Sequence, residues 1–276
     1  AWILSGALDW ARLILREDAR NGGTDHLGEP WAVPLAEARL STFLAADKSN
    51  TDDAPDAFLS GAITDAQSRY NLTNLVNGAD VDPVELAALQ RLCEAVGVSP
   101  DIASRIANGL RDATPAPVAA SGASGTAAGP PRPADPPLLP HSVPDLSWFG
   151  IDPDSLRALE PYITLLPEKT FVNVNTAPRE VLVAAVAGLD LATAERILQS
   201  RQKVPLKSVA DMRALAPGVP EGEFARLAIA SSYFEVRGRL RLDDIVLEQR
   251  SIVQRRGLQV VVIQRERVSS RDPVGR

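Results

Sequence analysis

The first twenty residues carry a helical pattern. Leu4, Leu8, Ala11 and Leu15 share one face, Ala7 and Ile14 lie beside it, and Arg12, Arg16, Glu17 and Arg20 are largely opposite. Asn21-Gly22-Gly23 predicts the helix end, because both glycines accept positive φ. Trp2, Ile3, Trp10, Leu13 and Ile14 fall outside the main apolar stripe. A helix apolar nearly all round is buried on more than one side. One side is therefore expected to pack on its own sheet, and the side bearing these five residues on helices of partner proteins.

Further along, Trp31 to Leu35 reads as a short strand, confined to an edge by Pro30 and Pro34. Ala36 to Ala46 reads as a helix and Asp47 to Pro55 as a polar loop. Gly61 to Leu72 suggests a tight hairpin around Asp65 to Ser68. From Asn71 to Asp112 the pattern is helical, with Pro83 suited to a first helical turn. Residues 114–144 are almost only Pro, Ala, Gly and Ser; they cannot bury enough apolar surface to offset ordering entropy, so a mobile linker is expected. Helical signals resume at Asp154 and run to Leu227. The period then changes to two. Tyr233, Glu235, Arg237, Arg239 and Arg241 alternate with Phe234, Val236, Leu240 and Leu242. Ile245 to Gln254 and Leu258 to Val268 follow as strands around the turn Arg255-Arg256-Gly257. This order predicts an α+β fold with a large all-α insertion. Residues 1–70 and 228–276 would build the α/β part, and residues 71–227 the helical part, with the mobile stretch 114–144 inside it.

The insertion contains a repeat. Gly97-Val98-Ser99 to Arg105-Ile106 and Gly188-Leu189-Asp190 to Arg196-Ile197 place Gly, an apolar residue, Ala, Arg and Ile at matching offsets. Each copy has an Asn-rich opener, Asn71-Leu72-Thr73-Asn74 in one and Asn173-Val174-Asn175-Thr176 in the other. Two helix–turn–helix modules follow, a unit found in nucleic-acid-binding proteins and in purely structural domains. A phosphate-binding turn needs a second Gly at the third position, where backbone N–H groups approach the phosphate. Here that position holds Ser99 and Asp190, although Lys203 and Lys207 could still touch a backbone. A net charge of −6 over 276 residues also argues against a basic nucleic-acid footprint. The competence-type helix–hairpin–helix DNA binder remains the alternative to a structural role.

Little else points to chemistry. The single Cys93 sits on an apolar helical face with Leu86, Leu89, Leu92 and Val96, which predicts a buried thiol. There are two histidines, His26 and His141, and no nucleophile elbow, phosphate loop or dinucleotide fingerprint, so no enzyme is expected. Asp47, Asn50, Asp52, Asp53 and Asp56 crowd into ten residues, a density that suits calcium, which takes six to eight oxygens. Asp65 would join them if the hairpin folds back, and Asp243-Asp244 is a weaker site. The EF-hand pattern fails, and a solvated acidic loop is the other reading. The chain opens on Ala1-Trp2-Ile3-Leu4 without an initiator Met, so a membrane or targeting segment is expected ahead of it.

Four stretches then become recognisable together: Ser5-Gly6-Ala7-Leu8-Asp9-Trp10-Ala11, Asp25-His26-Leu27-Gly28-Glu29-Pro30-Trp31-Ala32, Gly61 to Leu75, and Phe171-Val172-Asn173-Val174-Asn175-Thr176-Ala177. In this order they resemble the GspK family of type II secretion minor pseudopilins, over nearly the whole chain outside the linker. The resemblance implies a pilin-like α/β fold with a helical insertion and a non-enzymatic role at the pseudopilus tip, beside minor pseudopilins I and J. It implies help in starting the filament that exports folded exoproteins. It also implies an inner-membrane anchor with this portion in the periplasm, and calcium in the pilin-like part.

Overall fold

The computed structural model describes residues 2–39, 57–115, 133–242 and 245–271. In chain order its main elements are α1 (Trp2–Asn21), β1 (Leu35–Arg39), β2 (Ala57–Asp65), α2 (Pro83–Ala95), α3 (Asp101–Ala113), α4 (Pro153–Leu159), α5 (Arg179–Ala185), α6 (Leu191–Lys203), α7 (Val209–Leu215), β3 (Tyr233–Leu242), β4 (Ile245–Arg256) and β5 (Gln259–Arg271). The class is α+β, as the change of period predicts. The chain forms two compact units, Ala1–Ala66 with Ala230–Arg276, and Gln67–Ile229. Among the described residues no helix is long and apolar enough to cross a membrane.

The first unit is α1 laid on one antiparallel sheet of order β1-β2-β3-β4-β5. Alternation along the strands sends Leu59, Ile63, Phe234, Val236, Leu240, Val253 and Val260 to the helix side. There they meet Leu4, Leu8, Ala11 and Leu15, each 4% exposed or less. Gly238 lets the helix come close: a Cβ there would stand 3.2 Å from Leu4 Cδ2.

Three local expectations fail in this unit. The apolar run at Trp31 is not a strand. Pro30–Ala32 is a 3-10 turn that buries Trp31, and pairing begins only at Leu35. The start of the expected helix at Ala36 belongs instead to β1, which pairs with β2; residues 40–46 lie outside the described set. No hairpin forms at Asp65 to Ser68. β2 runs straight through Gly61 to Asp65 because its partners are the distant β1 and β3. Ala66–Ser68 is one 3-10 turn leading away.

The second unit is built on the repeat. α2, a turn at Gly97 and α3 form one hairpin; α5, a turn at Gly188 and α6 form the other; α2 packs against α5. Both turn glycines hold positive φ, 75° at Gly97 and 82° at Gly188, where a side chain would be strained. Each copy opens on a two-residue parallel bridge, Tyr70–Asn71 with Ile163–Thr164 and Val172–Asn173 with Leu227–Ala228. The openers are amide ties. Asn71 accepts from the Leu166 N–H and donates to the Glu168 carbonyl. Asn74 exchanges two hydrogen bonds with the Thr170 backbone, and Asn175 two with Leu206. As expected from its N–H-free ring, Pro83 opens α2, behind an Asp82 cap that accepts from Val84 and Glu85.

Candidate functional site

No constellation of catalytic groups is found among the described residues. The first helix carries the distinctive surface of its unit. Trp10 is 53% exposed and Leu13 49%, on the face opposite the buried stripe. Ile3 and Ile14 are half-buried and pack partly on their own core. The side chain of Trp2 lies outside the described set. Of the four residues expected at a partner surface whose side chains are described, Trp10 and Leu13 are thus the ones the fold leaves uncovered. A hollow lies on each flank of α1. One, of about 40 Å³, is lined by Trp10, Val33 and Leu35 among others. The other, roughly 560 Å³, lies between Asp9, Arg12, Leu13 and Arg16 of the helix and residues 258–261.

At its far end α1 is tied down by an ionic cluster. Asp18, Asp25 and Glu29 bring carboxylate oxygens within 4.8 Å of one another. Arg255 lies among them, with Nη1 2.6 Å from Asp18 and Nη2 2.6 Å from Asp25. It also stacks 4.8 Å above the Phe234 ring, which meets Trp31 edge-on at 5.3 Å. Glu29 accepts from the Trp31 indole at 2.7 Å and from the His26 N–H. Burial pushes the Asp18 carboxyl up, and the Glu29 charge adds to it; burial also pushes Asp25 up, against the Ser231 N–H and Arg255. Three acids against one guanidinium leave the cluster under repulsion. A dication would have to displace Arg255, so this group does not fit a metal. Nothing in the local sequence around Asp25 to Glu29 marks this cluster, because its cation, Arg255, lies 230 positions away.

Of the residues proposed to hold calcium, Asp47, Asn50, Asp52, Asp53 and Asp56 lie outside the described residues, as do Asp243 and Asp244. Asp65 is described. It is buried and accepts from the Ser231 hydroxyl at 2.7 Å. It stands at the opposite end of β2 from Ala57, about 26 Å along an extended strand.

The helix–turn–helix modules are closed to phosphate by their own side chains. Asp190 caps α6, accepting from Thr193 N–H at 2.7 Å and from its hydroxyl at 3.1 Å. Its carboxyl pKa is lowered by those hydrogen bonds. A carboxylate therefore stands where a phosphate oxygen would bind. At the other turn the Ser99 hydroxyl accepts from the Asp101 N–H. Cys93 is buried, and burial pushes its thiol up to about 11, which leaves it unreactive.

With this geometry in hand, similarity to known proteins is informative. A family model described as type II secretion system (T2SS), protein K, matches residues 172–234, and a second of the same description matches residues 68–168. Together they span more than half of the chain. The type II secretion system protein K of Pseudomonas aeruginosa is 29% identical over 249 residues, covering 85% of this chain and 70% of that protein. That of Pectobacterium carotovorum is 27% identical over 287 residues, covering 96% and 83%. Among solved structures, a chain of the GspK-GspI-GspJ complex from the enterotoxigenic Escherichia coli type 2 secretion system superposes with a TM-score of 0.70 at 21% identity. It covers 98% of this chain and 95% of that one. At that identity the likeness is one of fold.

Proposed function

This chain belongs to the type II secretion system protein K family, and on that premise we propose that it is a non-enzymatic minor pseudopilin of the pseudopilus tip. In this reading it assembles with minor pseudopilins I and J, helps start the filament, and so supports export of folded proteins across the outer membrane. A membrane helix ahead of this portion anchors the full-length protein in the inner membrane, with this portion in the periplasm. The observation that carries the reading is the outward face of α1. Trp10 and Leu13 stand about half exposed on a helix whose other stripe is buried, and such apolar faces on stable helices are covered by a partner. The family's solved complex, which by its name holds GspI and GspJ, supports which partners these are.

The test is assembly. The I and J proteins of the same system, mixed with this chain, should yield a ternary complex by size exclusion. Trp10→Ala should weaken it by about 2 kcal/mol, near thirtyfold in Kd, as a buried aromatic anchor does. Unchanged affinity with the fold intact would remove α1 from the interface.

Calcium belongs to the same proposal. Asp47, Asn50, Asp52, Asp53 and Asp56 supply hard oxygen donors within ten residues of sequence. Asp65 is held by Ser231 and would serve the sheet rather than the ion. Calcium at a hundredfold excess over its Kd should raise stability by about 2.7 kcal/mol, and Asp52→Ala with Asp53→Ala should abolish that response. A double mutant that still melts higher in calcium would move the site elsewhere.

A further inference from the structure

The two flanks of α1 differ in chemistry. On the β1 side the hollow beside Trp10 is mainly apolar, with Val33 at 69% exposure, and its charged lining residue, Arg237, is paired with Glu235. On the β5 side the groove has an apolar floor and a basic rim. Leu13, Leu258, Val260 and Val261 form the floor; Leu258 is 51% exposed and Val261 39%. Arg12 and Arg16 stand over it. Arg12 is already engaged, donating to the Val260 carbonyl at 2.8 Å and pairing with Asp9 at 3.0 Å. Arg16 has no ion pair or hydrogen bond among the described residues.

β5 is the last strand of the sheet, and past the bulge at Ile263 its helix-facing side turns basic. Arg265 lies opposite Ser251, and Arg267 opposite Gln249, to which it donates at 2.8 Å. Arg265, like Arg16, has no partner among the described residues. The acid of α1 that lines the groove, Asp9, is taken by Arg12, and Glu17 is paired with Arg20.

We infer that this groove docks a segment of a partner pseudopilin that carries a bulky apolar side chain beside carboxylates. This deepens the partner reading given above and rests on it. Three features fix the chemistry of the occupant. The floor offers apolar area that only an apolar group can cover without loss. Covering it with a wholly apolar segment would desolvate Arg16 without a counter-charge, and a basic segment would be repelled. Simple strand addition to β5 is blocked at Val260, because Arg12 already holds the carbonyl that an added strand would use. Side chains therefore enter the groove from above, and α1 separates a mainly apolar flank from one with an apolar floor and a basic rim.

The probe is the I and J pair of the same system, titrated by calorimetry at several salt concentrations. Arg16→Glu with Arg265→Glu should weaken binding by about tenfold or more and flatten its salt dependence. Leu258→Asp should weaken it through the floor. Trp10→Ala should weaken it while leaving the salt dependence intact, since the substitution removes no charge. All are exposed side chains, and unchanged melting confirms the fold. If wild type binds and both groove variants match it in affinity and salt slope, the groove is not the docking site. If wild type does not bind the pair at all, the partner reading itself fails and the inference falls with it.

Discussion

The two units are tied down by different means at their key junctions. In the helical unit the module openers use neutral amides: Asn71, Asn74 and Asn175 are buried, and each is hydrogen-bonded to backbone across long sequence separations, beside a buried Glu85 paired with Arg226 and a buried Arg201 on the Val174 carbonyl. The α/β unit uses ions, with Arg255 set among Asp18, Asp25 and Glu29. A paired amide carries no charge to desolvate and has nothing to titrate, so it fixes geometry at all pH values. A buried ionic group gives a weaker net gain and a large penalty when one member is lost. The helical unit is thus finished on its own terms. The unit that bears the proposed interaction surface is held at one end by a cluster whose balance responds to its surroundings.

The sharpest way to break this comparison is Arg255→Ala. It leaves Asp18 and Asp25 facing each other and Glu29 without a cation, with Asp18 and Asp25 side chains 13% and 4% exposed. The expected loss is about 3–5 kcal/mol, localised to the α/β unit. Hydrogen exchange should show lost protection in α1 and unchanged protection in α2. The damage should shrink in mild acid, where the orphaned carboxylates take up protons. Equal loss at all pH values would mean that Arg255 acts through its packing on Phe234 and not through its charge.

Asn175→Ala makes the matching cut in the other unit. It removes two hydrogen bonds of 2.9 Å and leaves the Leu206 N–H and carbonyl buried without partners. A cost of roughly 2–3 kcal/mol is expected, with no dependence on pH between 5 and 8. A pH-dependent loss would show that the amide tie is coupled to a titrating neighbour.

Wild type should show the contrast without mutation. Asp18 and Asp25 both have carboxyl pKa values raised in the folded state, first by burial. A raised folded pKa contributes stability that is complete below the unfolded value near 3.8 and fades as pH rises through the folded value. On this account the cluster makes the α/β unit more resistant in acid than at neutrality, while in the helical unit the exposed Asp152 and Asp190 carboxyls, lowered by hydrogen bonds, pull weakly the other way. Unfolding followed by exchange in α1 and α2 across the range from pH 4 to pH 7 checks this. Greater protection of α1 at pH 7 than at pH 5 would reverse the sign.

The same contrast explains what the amino-acid sequence reveals. α1, the paired glycine turns and the three C-terminal strands follow from local periodicity, and all three are found where the pattern puts them. The failures at Trp31, Ala36 and Asp65 have one cause. β1 is specified by β2, across residues 40–56, and β2 by β3 some 170 positions later, and local pattern cannot register that. The candidate surface was half legible. The apolar excess on α1 marks Trp10 and Leu13, but only packing shows that Ile3 and Ile14 turn partly inward. The ionic cluster and the basic groove were not legible, because Arg255 and residues 258–261 meet α1 only through the sheet.

The smallest expected effect concerns the two turns, and it tests whether the helical unit is only structural. In a phosphate-binding hairpin the helix N-terminus is left open for an anion; here Asp190 fills it from within. Asp190→Gly with Ser99→Gly restores a second glycine to both turns. Replacing an Asp cap by Gly costs a few tenths of a kcal/mol, since water takes over the freed N–H groups. The protein would still carry a net charge near −5, one unit above its −6. Duplex DNA binding should therefore remain undetectable at physiological salt, because non-specific affinity needs several Lys or Arg contacts acting together. Micromolar, salt-sensitive binding by the double variant, lost again on Lys203→Glu, would show that the modules keep a working phosphate site that the cap merely closes. Retained stability without binding would leave both hairpins as scaffolding, with the chemistry of recognition confined to α1 and its flanks.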